Sequence, residues 1–172
     1  MSQVLRLANR LTSNQKIFVV EVIGTFIVVV LATGSVVIDD KLGGVLGIPF
    51  IAFAPFVGVT IGVYLFGKVS MAHFNPAVSL GFLITRHINY RQFFYYLGAE
   101  LTGALLASLF VKYLIGSNAS LGANFPNHNF PIPTIIGIEV LASSLLMIVI
   151  LVVVYTNGLK GFSGIVIGGI VG

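Results

Sequence analysis

Cysteine and tryptophan are both absent from this 172-residue chain. Without cysteine there is no disulfide framework, no thiolate metal site and no cysteine nucleophile. Without tryptophan, anchoring at a membrane interface falls to tyrosine, lysine and arginine. Charge is also scarce, since 8% of the residues are charged, against about 25% in an ordinary soluble domain. With 57% hydrophobic residues and a mean hydropathy of +1.06, the chain is expected to have lipid as its main solvent.

The net charge of +4 comes from nine basic and five acidic residues. Nucleic-acid binding requires basic residues that cluster on one face. Here the basic residues are scattered between apolar runs, which is typical of charges that mark membrane edges. We therefore expect the lipid bilayer as a partner and no nucleic acid.

Apolar runs divide the chain into segments of membrane-spanning length. A helix needs about 20 mostly apolar residues to cross a bilayer, and four runs meet this requirement: 17–38, 48–66, 93–115 and 134–155. A fifth run, 161–172, is still apolar at the last residue. At about 1.5 Å rise per residue it reaches only about 18 Å. We expect a single membrane domain, 1–172, that is truncated in this partial fifth span.

Basic residues favour one side of the membrane. They stand before the first run and between the second and third: Arg6, Arg10, Lys16, Lys68, Arg86 and Arg91. The long polar stretch 117–133 contains no lysine or arginine. The positive-inside rule then predicts a cytoplasmic N-terminus, and we expect a multi-pass protein of the plasma membrane.

Small residues recur four positions apart within several runs, for example at Gly58 and Gly62, Gly103 and Ala107, and Gly164 and Gly168. This spacing lets helices approach closely in lipid, where apolar burial does not drive association. The pattern favours a tight helical bundle.

A short apolar segment, 76–85, lies between the second and third runs and is too short to span a membrane. Asn75 is a preferred N-cap residue, and Pro76 suits the first helical turn because its missing N–H would be unpaired there. In a soluble protein this pattern would predict a capped surface helix. In so apolar a chain it favours a re-entrant half-helix, because non-helical backbone at membrane depth must be buried in protein or line a water-filled cavity.

The residues around this cap, HFNPAVS at 73–79, resemble the first Asn-Pro-Ala box of the aquaporin, or major intrinsic protein, family. The resemblance implies an all-α transmembrane fold, an aquaporin-like right-handed helical bundle with a re-entrant half-helix. It also implies an inverted repeat, and Glu21 and Glu139 begin short segments that echo one another. The function implied is a passive channel for water and other small uncharged solutes that excludes protons and ions, assembled as a homotetramer.

The resemblance assigns roles to individual residues of this sequence. Asn75 would line the pore and donate hydrogen bonds, while Pro76 and Ala77 shape the turn. Backbone carbonyls before the box would accept hydrogen bonds from the solute, and they correspond to Met71, Ala72 and His73. Glu21 and Glu139 would be loop-supporting carboxylates.

Other positions leave alternatives open. Glu100 lies where relatives often carry glutamine, so it either supports the same loops or pairs with another group. His73 is either a pH switch or a hydrogen-bonded residue of the pore wall. The filter position of the second span aligns with Pro55, and a shift of one residue would place Phe56 there. The second Asn-Pro-Ala box and the arginine that follows it in the family do not occur in the 172 residues.

Three other functions compete with a channel. A proton- or ion-coupled transporter would use intramembrane glutamates, since buried carboxylates are costly and mark function; its flux would saturate and depend on a gradient. A membrane enzyme would need a nucleophile, base or metal cluster, and only His73 with Glu21 suggests one. We expect no enzyme, no cofactor and no metal site. A truncated chain that conducts nothing alone is the remaining alternative.

Overall fold

A computed structural model describes residues 12–156 and 161–172. These residues form six α-helices and no strand: α1 Ser13–Lys41, α2 Gly47–Ser70, α3 Pro76–Ile84, α4 Tyr90–Phe110, α5 Ile132–Tyr155 and α6 Ser163–Val171. A π-helical turn, Val111–Ile115, prolongs α4, and a 3-10 turn, Ala119–Gly122, follows. Four helices, α1, α2, α4 with its π-helical turn, and α5, are long and apolar enough to cross a membrane. The all-α transmembrane prediction is therefore confirmed.

Helices α1 and α4 begin before the predicted apolar runs because their polar capping residues lie outside those runs. Thr12 accepts a hydrogen bond from the backbone N–H of Gln15, whose side chain accepts from Thr12, and this capping box starts α1 at Ser13. Asn89 and Gln92 form the same arrangement at the start of α4. Each cap supplies partners for the unpaired N–H groups of a first helical turn. Arg6 and Arg10, which contribute to the predicted orientation, lie outside the described residues.

Small residues bring the helices together, as their spacing predicts. A Cβ added at Gly103 of α4 would lie 2.6 Å from the carbonyl oxygen of Val22 in α1. Ala99 and Ala107, one turn to either side of Gly103, are completely buried. The backbones of α1 and α4 therefore approach closely along one face of α4.

Helix α6 packs against α2 in the same way. A Cβ added at Gly164 would lie 2.9 Å from the carbonyl oxygen of Thr60. The hydroxyl of Thr60 donates to the carbonyl of Gly164 at 3.1 Å. The apolar run 161–172 thus contains a nine-residue helix in contact with the bundle.

The short helix α3 enters the bundle between the long helices. Its nine residues reach only about 14 Å at about 1.5 Å rise per residue, and it ends at Ile84 instead of the predicted residue 85. α3 packs against α4, and Gly81 lies against the side chain of Met147 from α5. The loop that connects α2 to α3, residues 71–75, is thereby held against the bundle, with His73 and Phe74 buried and Met71 45% exposed.

Candidate functional site

The loop before α3 has an unusual backbone. Met71, Ala72 and Phe74 have φ angles of 64°, 54° and 52°, in the left-handed region that non-glycine residues rarely adopt. Each such residue costs on the order of 1–3 kcal/mol and persists only where its surroundings hold it. Contacts from other helices must therefore fix this loop.

The carboxyl of Glu21, from α1, makes the main contact with the loop. Its Oε1 accepts a hydrogen bond from the N–H of His73 at 3.1 Å, and its Oε2 accepts from the N–H of Phe74 at 2.8 Å. The side chain of Ser70 lies beside the same carboxyl, and its hydroxyl accepts from the N–H of Ala72 at 3.2 Å. Glu21 is completely buried, so both of its oxygens bind backbone donors away from solvent.

These contacts also orient the carbonyl groups of the loop. In a planar trans peptide the C=O points opposite to the N–H of the following residue. Since the N–H groups of Ala72, His73 and Phe74 point toward Ser70 and Glu21, the carbonyls of Met71, Ala72 and His73 point away from them. No described residue donates a hydrogen bond to these three carbonyls.

The ring of Phe74 is wedged between α1 and α2. A Cβ added at Gly62 would lie 2.6 Å from Cε2 of this ring, and one added at Gly24 would collide with the ring as well. The ring also makes an edge contact with Phe66, with centroids 6.3 Å apart. Phe74 lies in the HFNPAVS box, but neither it nor Gly24 had a role predicted from the sequence. Small residues on both helices are the sequence signal for such a fit.

The imidazole of His73 is held from three sides. It stacks on Tyr96 at 4.0 Å and on Phe82 at 4.5 Å between ring centroids. Its Nδ1 lies 2.8 Å from Oγ of Ser79, and that Oγ lies 2.6 Å from Oε1 of Glu100. A chain of hydrogen bonds therefore links the loop to α4 through the first turn of α3.

Two members of this cluster, Tyr96 and Ser79, had no role predicted from the sequence. The hydroxyl of Tyr96 donates to the carbonyl of Ser70 at 2.5 Å, so it fixes the end of α2. Tyr96 precedes Glu100 by four residues and therefore lies on the same helical face. That spacing is the signal that could have identified it.

Asn75 caps α3 as predicted. Its Oδ1 accepts from the N–H of Ala77 at 2.9 Å, and its carbonyl accepts from the N–H of Ser79 at 3.0 Å. The amide NH₂ of Asn75 has no acceptor among the described residues. The positive end of the α3 dipole, equivalent to roughly +0.5 elementary charge, lies at this residue.

A cavity adjoins the loop. Its polar side is the loop itself, and its other walls are apolar side chains from α1, α2, α3, α5 and α6: Val28, Val59, Val78, Leu146, Ile150, Val154, Ile167 and Val171. The loop contributes Met71, Ala72, His73, Phe74 and Asn75. The space open to the centres of water molecules is about 80 Å³, and one water needs roughly 10–15 Å³. Several waters therefore fit.

The remaining predicted site residues lie elsewhere. Pro55 lines a second cavity, which shares Val171 with the first. Phe56 lies against Gly168 of α6.

Glu139 is exposed, and no described residue forms a hydrogen bond with it. Its loop-supporting role stays a prediction. Pro76 and Ala77 are exposed in the first turn of α3.

Within residues 12–156 and 161–172, no group of three or more histidine, aspartate or glutamate side chains could hold a metal ion. None of the five carboxylates of the chain lines the cavity. The arrangement offers a solute hydrogen-bond donors and acceptors but no charged side chain.

Comparison with known proteins identifies the family of this chain. Residues 8–172 match the family described as "Major intrinsic protein". A putative aquaporin, NIP4-1 of Arabidopsis thaliana, is 33% identical over 151 residues, which cover 87% of this chain and 53% of that protein. Glycerol uptake facilitator protein-like 6 of Lactiplantibacillus plantarum is 36% identical over 157 residues, which cover 88% of this chain and 69% of that protein.

Nodulin-26 of Glycine max is 32% identical over 152 residues, which cover 87% of this chain and 55% of that protein. The chain thus spans about half the length of the plant relatives. The match nevertheless covers the Asn-Pro-Ala box, the loop before α3, and helices α1 and α4, which contact them. Taken with the four apolar helices, it shows that this chain is an integral, multi-pass membrane protein of the major intrinsic protein family.

Proposed function

We propose that this chain forms a passive channel for water and other small uncharged solutes. The observation that supports it best is the loop held by Glu21, which turns three carbonyls away from the carboxyl and leaves the Asn75 amide without a protein partner. A solute in the adjoining cavity meets acceptors from Met71, Ala72 and His73 and a donor from Asn75. We assign Glu21 the role of holding the loop.

The apolar walls opposite the loop have a role in passage. Valine, leucine and isoleucine side chains offer no hydrogen bond, so a solute in the cavity is held from one side only. Conduction requires binding that is strong enough for entry and weak enough for exit. A polar strip facing an apolar wall meets both requirements for water and for small alcohols. One relative is named a glycerol uptake facilitator, and we include glycerol among the solutes to test.

Exclusion of cations follows from the positive end of α3. Asn75 lies at the N-terminus of this helix, and no carboxylate lines the cavity to offset its field. Helix dipole ends of this kind exclude protons and cations in aquaporin-type pores. We also propose that Pro55 contributes to the selectivity filter, because it lines the neighbouring cavity. A cytoplasmic N-terminus, the plasma membrane and a homotetramer remain part of this proposal.

The test is osmotic shrinkage of proteoliposomes that contain the chain and a pH-sensitive dye, with Asn75→Asp as the variant. The substitution removes the NH₂ donor and places a negative charge at the N-terminus of α3. We expect slower water flux and a larger proton leak than for the unmodified chain. Asn118→Asp, in an exposed loop, is the matched control and should change neither quantity.

Three outcomes would contradict the proposal. Water flux through the unmodified chain no faster than in empty liposomes would show that it is not a channel by itself. Equal effects of Asn75→Asp and Asn118→Asp would show that conduction does not depend on the loop before α3. Flux that saturates and follows an ion gradient would instead support a coupled transporter.

A further inference from the structure

Two buried carboxyls flank the loop before α3, and their hydrogen bonds differ. Glu21 is 0% exposed and Glu100 is 1% exposed. Both oxygens of Glu21 accept backbone N–H groups. Only Oε1 of Glu100 has a partner, Ser79, and Oε2 has none. The N–H of Asn75 lies near the Glu100 carboxyl but forms no hydrogen bond with Oε2.

An ionised Glu100 would be costly in this position. A buried carboxylate needs a partner of opposite charge and hydrogen bonds to its lone pairs. No lysine or arginine among the described residues acts on this carboxyl. The ionisable groups that face it are His73, Tyr96 and Glu21. Glu21 would add like-charge repulsion, and two carboxylates that share a buried site do not both ionise readily.

The hydrogen-bond inventory distinguishes the two carboxyls. A carboxylate only accepts hydrogen bonds, whereas a protonated carboxyl also donates one. Each oxygen of Glu21 accepts from a backbone N–H group, which can only donate, as a carboxylate requires. Glu100 faces the hydroxyl of Ser79, which can accept as well as donate. In the neutral form of Glu100 the unpaired Oε2 is a carbonyl oxygen. Leaving a carbonyl oxygen without a hydrogen bond costs less free energy than leaving a charged oxygen without one.

We propose that Glu100 is a positioning residue that acts as a neutral carboxylic acid. In this form its Oε1–H donates to Oγ of Ser79, and the two oxygens lie 2.6 Å apart. The hydroxyl of Ser79 in turn donates to Nδ1 of His73, over 2.8 Å. The imidazole proton then lies on Nε2, which is buried and has no hydrogen-bond partner among the described residues. The proton of Glu100 thus orients the ring of His73, which lies two residues before Asn75 in the loop.

Neutrality also matters for the field at the cavity. A negative charge on Glu100, beside the N–H of Asn75, would offset the positive end of α3. Keeping the acid neutral preserves that field without changing the packing. This consequence for conduction rests on the proposed channel function, whereas the protonation state of Glu100 does not.

The test is infrared spectroscopy of the reconstituted chain, which separates the C=O stretching band of a protonated carboxyl from the bands of carboxylates. We expect such a band at neutral pH, a small shift of it in D₂O, and its loss or reduction in Glu100→Gln. Glutamine keeps the size, the acceptor and a donor, so Glu100→Gln should fold. Ser79→Ala should leave the band in place but shift its frequency, because the acid loses its hydrogen-bond partner.

The same variants separate this inference from the proposed function. No protonated-carboxyl band in the unmodified chain, or a band that Glu100→Gln leaves unchanged, would overturn the assignment whether or not the chain conducts. A band that only Glu21→Gln removes would overturn it as well, because the neutral acid would then be the other carboxyl. If the chain conducts, water flux should be retained in Glu100→Gln, since glutamine is neutral too. Loss of flux in Glu100→Gln without loss of folding would refute positioning by a neutral group.

Discussion

Replacing Glu21 by glutamine tests directly whether one carboxyl fixes the loop before α3. The amide has the same size, so packing is retained and only the hydrogen bonds change. One oxygen remains as an acceptor, but the new NH₂ faces a backbone N–H, either that of His73 or that of Phe74. A hydrogen bond to a charged group contributes about 1.5–3 kcal/mol. We expect the ordered loop to lose about that amount of free energy relative to a relaxed one.

The strained backbone makes the loop sensitive to this loss. Met71, Ala72 and Phe74 hold positive φ angles that cost on the order of 1–3 kcal/mol each, and relaxing them favours the disordered loop. At about 1.4 kcal/mol per factor of ten, a loss of 1.5–3 kcal/mol raises the relaxed population about 10- to 150-fold. In the relaxed loop, the carbonyls of residues 71–73 would no longer all point away from Glu21.

Amide hydrogen exchange of the reconstituted chain measures this change at His73 and Phe74, because exchange follows local opening. We expect the protection of these two amides in Glu21→Gln to fall about 10- to 150-fold. Water flux should fall with it. Asp40→Asn likewise changes a carboxylate to an amide, at an exposed position, and should alter neither. Unchanged protection at His73 and Phe74, or equal effects of the two variants, would refute the reasoning.

Two further predictions concern the packing around the loop and the second cavity. Gly62→Ala should lower the midpoint of thermal unfolding in detergent, because its Cβ would lie 2.6 Å from the Phe74 ring. Gly67→Ala is the control, because the nearest atom to its Cβ would be 3.9 Å away. It should raise the midpoint, since alanine favours a helix by about 1 kcal/mol over glycine. Pro55→Phe should slow glycerol entry into proteoliposomes more than it slows water flux, because the phenylalanine ring would enter the second cavity. The substitution should not disrupt α2, since it restores a backbone N–H that proline lacks. Equal midpoints for the two alanine variants, or equal slowing of water and glycerol, would contradict these expectations.

The hydropathy and length of the apolar runs were enough to predict the four helices that are long and apolar enough to cross a membrane. The apolar runs are long because each must cross the bilayer, and Asn75 with Pro76 carries its own start signal for α3. The bounds were less accurate, since caps such as Thr12 and Asn89 are polar and lie outside the hydrophobic pattern. The small-residue spacing at Gly103 and Gly164 also predicted close approach correctly.

The interior contacts of the site could not be predicted in the same way. In a soluble helix, the apolar face shows which side packs inward, but in lipid both faces are apolar and the pattern is lost. Sequence therefore did not indicate that the Phe74 ring fits between Gly24 and Gly62. Nor did it separate Pro55 from Phe56, which face different neighbours.

What the sequence determined by itself is local: which runs are long and apolar enough to cross a membrane, where α3 starts, and which box stands at that start. These features depend on neighbouring residues and on transfer from water to lipid, so they can be read along the chain. Only the tertiary structure decided that Glu21 holds two backbone N–H groups 52 and 53 residues away, and that Ser79 joins His73 to Glu100. The physical reason is that buried polar groups must find partners wherever packing brings them, and that pairing depends on how the helices meet.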